Sequence, residues 1–302
     1  MTGRSPFMSL SRRTFLGCSV AGAALLARKT RLAAAVTPSP GFRIFACDWT
    51  LKAMCSPDAF ELANRIGFDG VQVDFGRVQE GASTLPLFDE AHQDKLLAAA
   101  HHHRVEITSL ALGVLNQVPY KSDPAAEQWV LDSVNVMRRM KTQVVLLAFF
   151  SKGDLVDDPA GQAEVIRRLR LLAPRAEDAG LIYGIESWLK APELERILDA
   201  VGSPAIKVYY DVGNMHKVGE DIDAAMRRLG RDRICEIHLK DYADLYGRGS
   251  MDFPGVRRSS MPSAIGAGSA WRGSRPRWVW SPACATISTT CAHFFLVPFE
   301  RR

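Results

Sequence analysis

The chain has few of the cysteine patterns that point to a redox or zinc centre. Its six cysteines form no C-x-x-C pair, and such pairs are typical of zinc knuckles and thioredoxin-like centres. Cys18 belongs to an N-terminal segment that we expect to be removed, which leaves five cysteines. Cys47 and Cys55 could pair in an oxidising compartment, but two isolated buried thiols are the simpler interpretation.

The chain also lacks a basic stripe and a dinucleotide-binding motif. Its formal net charge of +5 comes from its ends, because residues 1–35 have six Lys or Arg and no acid, and residues 257–302 have seven Arg and one Glu. The middle carries a net charge of −7, which argues against nucleic acid as a partner. No G-x-G-x-x-G sequence follows an apolar strand, so nothing indicates a dinucleotide-binding fold.

No apolar run is long enough to remain as a membrane-spanning helix. A short run at residues 18–27 follows S-R-R-T-F-L at residues 11–16, and A-A-A follows at residues 33–35. An arginine pair, an apolar stretch and a small-residue cleavage site in this order predict a twin-arginine signal peptide over residues 1–35. We therefore expect export to the periplasm or the extracellular space.

From residue 42 onward, short apolar segments alternate with amphipathic ones. The segments predicted as strands are Phe42–Cys47, Gly70–Val73, Val105–Leu112, Val144–Phe149, Leu181–Ile185, Ile206–Tyr210 and Ile234–Ile237. The segments predicted as helices are Pro57–Ile66, Asp89–His103, Pro124–Met140, Ala160–Ala179, Pro192–Val201 and Ile222–Leu229. This alternation predicts an α/β fold with a parallel sheet, and its unit size favours a (β/α)8 TIM barrel over residues 36–256.

Polar residues stand at three successive strand ends. Glu186, Asp211 and His238 each follow a predicted strand, about one βα unit apart. Because the active sites of TIM barrels lie at the C-terminal strand ends, where the strand interiors give way to loops, we expect these side chains to meet at one mouth. Each residue alone has a structural explanation, namely a cap, an Asx turn or a satisfied core histidine. Together they predict one divalent metal ion: Mn²⁺, Mg²⁺, Co²⁺ or Zn²⁺.

The same residues carry a family resemblance. G-I-E-S at 184–187, Y-Y-D-V-G-N at 209–214 and H-L-K-D at 238–241 resemble the xylose-isomerase-like barrel family of sugar phosphate isomerases and epimerases. The resemblance is closest to its exported ketose-3-epimerase-like branch. It covers about residues 42–256 and includes G-V-Q-V-D-F at 70–75 and the loop at 247–255.

The resemblance implies a metal ion and a reaction. The metal would be held by Glu186, Asp211, His238 and a final glutamate, and the substrate would be a sugar or sugar phosphate. The resemblance also makes the two glutamates the acid/base pair. One would remove the proton next to the carbonyl, and the other would return a proton to an enediolate that the metal stabilises.

The substrate-binding residues that the resemblance implies are matched in part. Related epimerases often have a histidine three residues after the aspartate, but here that position is Asn214 and the nearest histidine is His216. Lys240 and Asp241 are further candidates to bind substrate hydroxyls or to orient His238, and an exposed ion pair is the equal alternative.

The final glutamate should come from an eighth strand, but residues 257–302 do not read as a βα unit. They contain one acid, Glu300, and no long amphipathic helix. The next reading frame can restore a helix end, a glycine turn and a strand that ends in glutamate, so we interpret this basic tail as the product of a frameshift. Without an eighth strand the first and seventh strands would keep unpaired edges and the barrel would stay open. The alternative is a tail that forms an unusual closing element.

Three hypotheses of function follow. The first is a metal-dependent sugar isomerase or epimerase, and the second is an inactive remnant that at most binds ligand. The third is a phosphodiesterase of the endonuclease IV type, which shares the barrel but needs several zinc ions and many histidines. The chain has seven histidines, three of them in one run, so the third is the weakest. The sequence leaves open which sugar is bound and whether the chain forms a homo-oligomer.

Overall fold

The strands and helices alternate as the sequence predicts. A computed structural model describes residues 43–81, 84–240, 252, 255–256 and 294–297, all within the compact unit Pro40–Arg302. The predicted signal peptide, Asp241, most of the loop at 247–255 and most of the basic tail lie outside the described residues.

Eight strands follow one another in chain order around a closed barrel. They are β1 Arg43–Cys47, β2 Gly70–Asp74, β3 Glu106–Leu112, β4 Val144–Phe149, β5 Ile182–Ser187, β6 Ile206–Asp211, β7 Ile234–Leu239 and β8 Phe294–Val297. Consecutive strands from β1 to β7 pair in parallel. The seven predicted strands are therefore confirmed, with ends that differ by one or two residues.

The helices pack around this sheet. They are α1 Asp58–Ile66, α2 Glu90–His103, α3 Pro124–Met140, α4 Pro159–Ala179, α5 Ala191–Val201, α6 Val212–Lys217 and α7 Ile222–Arg233. The starts of α3 and α4 show why the sequence forms them: Asp123 and Asp158 accept hydrogen bonds from backbone N–H groups of the first turn, and a proline follows each. The six predicted helices are confirmed, whereas the short α6 was not predicted.

The barrel closes in an unexpected way. β8, from the basic tail, pairs antiparallel with both β1 and β7. The predicted replacement of the eighth parallel βα unit is confirmed for the part of the chain that the structure describes. The expectation that β1 and β7 keep unpaired edges is wrong, because the backbone of β8 supplies hydrogen-bonding partners to both. An antiparallel strand can do so without a crossover helix.

The apolar core lies between the outer face of the sheet and the helices, with fully buried members such as Phe60, Val130, Leu169 and Ile197. The barrel interior is more polar than the apolar layers expected for strand interiors, since Gln72 and other polar side chains are buried there. Among the described residues no helix is long and apolar enough to cross a membrane.

The structure distinguishes between the two interpretations of Cys47 and Cys55. Cys47 and Cys55 are both buried and both carry free thiols. The interpretation as two isolated buried thiols is therefore confirmed, and no disulfide joins them.

Candidate metal centre

Three neighbouring strands bring the predicted ligands together. Glu186 lies near the end of β5, Asp211 ends β6 and His238 lies near the end of β7, and all three are at most 6% exposed. Their ligand atoms all lie within 4.8 Å of one another. A register shift between Val208 and Tyr209 makes Asp211 the direct partner of His238 across the β6–β7 pair. Such bulges re-aim side chains near active sites.

The imidazole of His238 has a defined orientation. The amide nitrogen of Gln72 lies 3.5 Å from the carbonyl oxygen of Leu110, which can only accept a hydrogen bond. The amide oxygen must then face Nε2 of His238, at 3.2 Å. Burial lowers the pKa of His238 to about 3, so the ring is neutral near pH 7. Nε2 therefore carries the ring proton and Nδ1 carries the lone pair.

This orientation makes the site fit a cation. Nδ1 of His238 lies 3.2 Å from Oε1 of Glu186 and 3.8 Å from Oδ2 of Asp211. Three electron-rich atoms thus converge in a buried space, which is unfavourable unless a cation lies between them. Carboxylate and imidazole ligands suit divalent ions such as Mn²⁺ and Zn²⁺. The three side chains could therefore hold one divalent metal ion.

Asn214 and Lys240 form a bridge beside the three ligands. Nζ of Lys240 donates to Oδ1 of Asn214 at 3.0 Å, and Nδ2 of Asn214 donates to Oε1 of Glu186 at 3.2 Å. Nζ also lies 3.7 Å from Oδ2 of Asp211. Burial raises the pKa of Glu186 to about 7, and the Lys240 charge opposes that rise. In the metal-free site Glu186 therefore titrates near neutral pH.

The short helix α6 explains why Asn214 reaches the site. Asp211 precedes this helix and its Oδ1 accepts a hydrogen bond from the backbone N–H of Asn214 at 2.8 Å. Gly213 allows α6 to approach β7, because a Cβ there would lie 2.6 Å from the carbonyl oxygen of Lys240. The Asx-turn explanation for Asp211 is therefore confirmed and is compatible with the predicted ligand role, because one oxygen caps the helix and the other faces His238.

The remaining predicted substrate-binding residues differ in their positions. Asn214 and Lys240 line the cavity above the ligands. His216 is exposed on α6 and does not line that cavity, because it is two residues beyond Asn214 and so faces another side of the helix. The prediction of a site role for His216 is not supported by this position. Asp241 lies outside the described residues.

The cavity has a volume of about 1020 Å³ and two kinds of lining. Trp49, Phe150 and Trp188 provide aromatic surface, and the rings of Phe150 and Trp188 pack edge to face at 5.2 Å. Exposed cations, Lys52, Arg77 and Lys217, lie at its rim. An aromatic wall with a cationic rim suits a ligand with a C–H face and an anionic group.

A second carboxyl group lines the same cavity. Among the described lining residues, Asp74 and Glu186 are the acidic ones. Asp74 accepts hydrogen bonds from the backbone N–H groups of Gly76 and Gly113, and burial raises its pKa to about 7. Asp48 lies behind it and accepts from the Asp74 N–H at 2.9 Å. Asp74 was not predicted as a site residue, although it follows the predicted second strand just as Glu186 follows the fifth.

Sequence reasoning also missed the polar residues beneath the ligands. Gln72, Ser109 and Glu236 are buried inside the barrel. A signal was present, because Glu236 interrupts an otherwise apolar strand two residues before His238. Residues at i and i+2 of a strand face the same side, so Glu236 had to point into the barrel if His238 did.

Comparisons with known proteins agree with this fold. The "Putative L-ribulose-5-phosphate 3-epimerase SgbU" of Escherichia coli (strain K12) is 28% identical over 233 residues, which are 68% of this chain and 79% of that protein. The 2-epi-5-epi-valiolone 7-phosphate 2-epimerase of Actinoplanes sp. (strain ATCC 31044 / CBS 674.73 / SE50/110) is 27% identical over 201 residues, 66% of this chain and 72% of that protein.

Solved structures and a family model extend the comparison. D-psicose 3-epimerase from Clostridium cellulolyticum H10 superposes with a TM-score of 0.60 at 18% identity, covering 74% of this chain and 81% of that one. The IOLI protein with a bound zinc atom gives 0.57 at 15% identity, covering 74% and 84%. At these identities the likeness shows the fold alone. The model of the xylose isomerase-like TIM barrel family matches residues 60–259, and this chain belongs to that family.

Proposed function

We propose that this protein is a metal-dependent epimerase or isomerase that moves a proton next to the carbonyl of a sugar phosphate. The observation that carries the proposal is the buried meeting of Glu186, Asp211 and His238, of which Glu186 lines the cavity. The sugar phosphate epimerases among its relatives add support. A cavity of about 1020 Å³ can accommodate a sugar of five or of six carbon atoms.

Glu186 is the proposed proton-transfer group. A general base works best when its pKa lies near the working pH, and burial raises the pKa of Glu186 to about 7. Asn214 fixes its carboxyl group through the hydrogen bond to Oε1. A divalent ion held by the three ligands would polarise the substrate carbonyl and stabilise the enediolate charge. Glu186 would then remove the proton from the adjacent carbon.

Epimerisation needs a second group on the opposite face of the substrate. The final glutamate expected from the family resemblance is not among the described residues that line the cavity. We assign the second proton transfer to Asp74, the other acidic residue of the described lining, whose pKa burial raises to about 7. Isomerisation between neighbouring carbons can proceed with one base, so Glu186 alone would suffice for that reaction.

The charge of the rim supports a phosphorylated substrate. Lys52, Arg77 and Lys217 lie along the cavity edge, and Lys240 lies deeper. Cations outnumber acids in the described lining, which favours an anionic ligand. The two relatives found by sequence, from Escherichia coli and Actinoplanes sp., are named as epimerases of phosphate esters. We therefore expect a ketose phosphate to react in preference to the free ketose.

The test is solvent deuterium exchange. The full chain, loaded with Mn²⁺, Co²⁺ or Zn²⁺, is incubated in D₂O with L-ribulose 5-phosphate and other ketose phosphates, and with free D-psicose and D-fructose. Proton NMR then reports deuterium beside the carbonyl and inversion of that carbon. Glu186→Gln should lower exchange by about 10²- to 10⁴-fold. Asp74→Asn should abolish inversion while one epimer still exchanges.

Two outcomes would decide against the proposal. A metal-loaded protein that exchanges no substrate of the panel would favour the inactive remnant. A protein that cleaves phosphodiesters with several bound zinc ions would favour the endonuclease IV type, although the described residues contain a single group of three ligands.

A further inference from the structure

A chain of buried polar side chains runs through the barrel interior beneath the metal centre. Gln72 and Ser109 are fully buried, and Tyr209 and Glu236 are at most 2% exposed. They come from four strands, β2, β3, β6 and β7. Buried polar groups are costly unless each is satisfied, so their hydrogen bonds define which way each group must point.

Glu236 lies at the lower end of this hydrogen-bonded series of side chains. The hydroxyl groups of Ser109 and Tyr209 both donate to the same oxygen, Oε2 of Glu236. Their protons are thereby committed, and their oxygens are left as acceptors. Nε2 of Gln72 donates to both, at 3.1 Å to Ser109 and 3.0 Å to Tyr209.

Gln72 lies at the upper end of this hydrogen-bonded series of side chains. Because its amide nitrogen faces the two hydroxyl oxygens and the Leu110 carbonyl, its Oε1 faces the metal centre. That oxygen lies 3.2 Å from Nε2 of His238 and accepts from the thiol of Cys47 at 3.4 Å. A flipped amide would place its NH₂ group against the protonated Nε2 and its oxygen against the Leu110 carbonyl.

We propose that Gln72 is a positioning residue that fixes the Nε2-protonated tautomer of His238 and so aims the Nδ1 lone pair at the metal ion. Glu236 orders the amide through Ser109 and Tyr209. The inference rests on the metal centre of the proposed function, but not on the substrate or the reaction. Loss of a group that orients a metal-binding histidine through its second nitrogen typically lowers metal affinity by about 10–100-fold.

The test uses the full chain and compares Gln72→Leu with a matched control. Gln72→Leu removes the acceptor of the Nε2 proton at similar volume. Gln93→Leu removes another buried glutamine, on α2, whose Nε2 donates to the Leu87 carbonyl at 2.8 Å. We expect Zn²⁺ affinity, measured by competition with a chelator, to fall about 10–100-fold in Gln72→Leu and to stay unchanged in Gln93→Leu.

A second readout separates positioning from general loss of structure. Nitrogen-15 NMR of histidine-labelled protein reports which ring nitrogen carries the proton, and a His238→Gln variant assigns the signal. The metal-free wild type should show protonated Nε2 at His238, and Gln72→Leu should show a mixture of tautomers. If Gln72→Leu does not fold, Tyr209→Phe takes its place. This variant keeps the ring and removes one hydrogen-bonding partner of Gln72, so we expect a change in the same direction but smaller.

Three results would overturn the inference. They are an unchanged tautomer in the Gln72 variant, unchanged Zn²⁺ affinity in that variant, or an equal loss of affinity in Gln93→Leu. The failure of the proposed function looks different. A wild type that binds metal with Nε2 protonated but exchanges no sugar deuterium would refute the activity and leave the positioning role of Gln72 intact.

Discussion

At the scale of single residues, Lys240 determines the charge balance of the centre. Its ammonium group is one of the few buried cations, 8% exposed, and lies 3.7 Å from Asp211 and 3.0 Å from Asn214. The Lys240 charge lowers the pKa of Glu186 against the stronger effect of burial. Lys240 thus favours the ionised form of Glu186.

Replacing Lys240 should therefore shift the titration of Glu186. In Lys240→Met the opposing charge is gone, so we expect the pKa of Glu186 to rise above its wild-type value of about 7 in the metal-free protein. Carbon-13 NMR of labelled glutamate carboxyl groups measures this, with Glu186→Gln to assign the signal. Lys240→Arg keeps the charge and should leave the pKa closer to the wild type. A lowered pKa in Lys240→Met would contradict the assigned role.

Among the elements, the short helix α6 places Asp211 and Asn214 beside the candidate metal site. Gly213 lets the helix lie against the strand, since a Cβ would meet the Lys240 carbonyl oxygen at 2.6 Å and its Cβ at 2.9 Å. Both contacts are to atoms on or next to the backbone, so a side chain cannot simply rotate away. Glycine is thus the residue that fits at position 213 without displacing the helix.

Gly213→Ala should displace α6 and weaken metal binding. We expect a loss of about 1–3 kcal/mol in the free energy of unfolding, as for overpacked sites, together with lower Zn²⁺ affinity, because Asp211 and Asn214 move with the helix. Gly219→Ala is the matched control. It has a positive φ of 70° but nothing within 4 Å of the added Cβ, so it should lower stability by about 1 kcal/mol and spare affinity. Equal losses of affinity in both variants would refute this interpretation.

The closing strand is the other decisive element. β8 has four residues and pairs with β1 and β7 on opposite sides. A parallel strand followed by its own helix would supply a strand end at the mouth, where ligands of TIM barrels arise. β8 runs in the opposite direction. It therefore pairs with the exposed backbone edges of β1 and β7, but its C-terminal end does not lie at the mouth of the barrel.

At the scale of the whole molecule, buried carboxyl groups should make stability depend on pH. Burial raises the pKa of Asp74 and Glu186 to about 7 and that of Glu236 to about 8. A carboxyl group whose pKa is higher in the folded state binds its proton more tightly when folded. Its contribution to stability is then lost as the pH rises through the folded pKa.

We expect the metal-free protein to lose stability between pH 6.5 and about 8, by at most about 1.4 kcal/mol per group for each pH unit below that group's folded-state pKa. His238 opposes this change only at the lower limit of the range, because burial lowers its pKa to about 3 in the folded state and its unperturbed pKa is 6.5. Glu164, whose pKa is lowered to about 2 by hydrogen bonds from Arg167 and Arg168, acts at lower pH. Urea unfolding in EDTA at several pH values measures the slope.

Metal should counteract this loss. A divalent ion at 100 times its dissociation constant adds about 2.7 kcal/mol to the free energy of unfolding, and it favours ionised Glu186. The same urea titrations with Zn²⁺ should therefore show a shallower pH slope. Stability that is flat or rises from pH 6.5 to 8 without metal would contradict the protonation of the buried carboxyl groups.

The units of the fold and three candidate metal ligands could be predicted from the sequence alone. Apolar runs that end in Glu186, Asp211 and His238 predicted strands and strand-end side chains, because periodicity and strand length are local properties. A regular repeat of one βα unit then placed the three residues at one mouth, whatever the details of packing. The family resemblance followed from the same positions.

The contacts of these three side chains, by contrast, follow from the folded barrel. The register shift at Val208 and Tyr209 pairs Asp211 with His238 and Tyr209 with Glu236, and a slip of one residue would turn each side chain to the other face. The contact of Gln72 with His238 joins residues 166 positions apart. Such contacts depend on strand stagger and barrel closure, which are set by the packing of the whole barrel and have no local signature in the sequence.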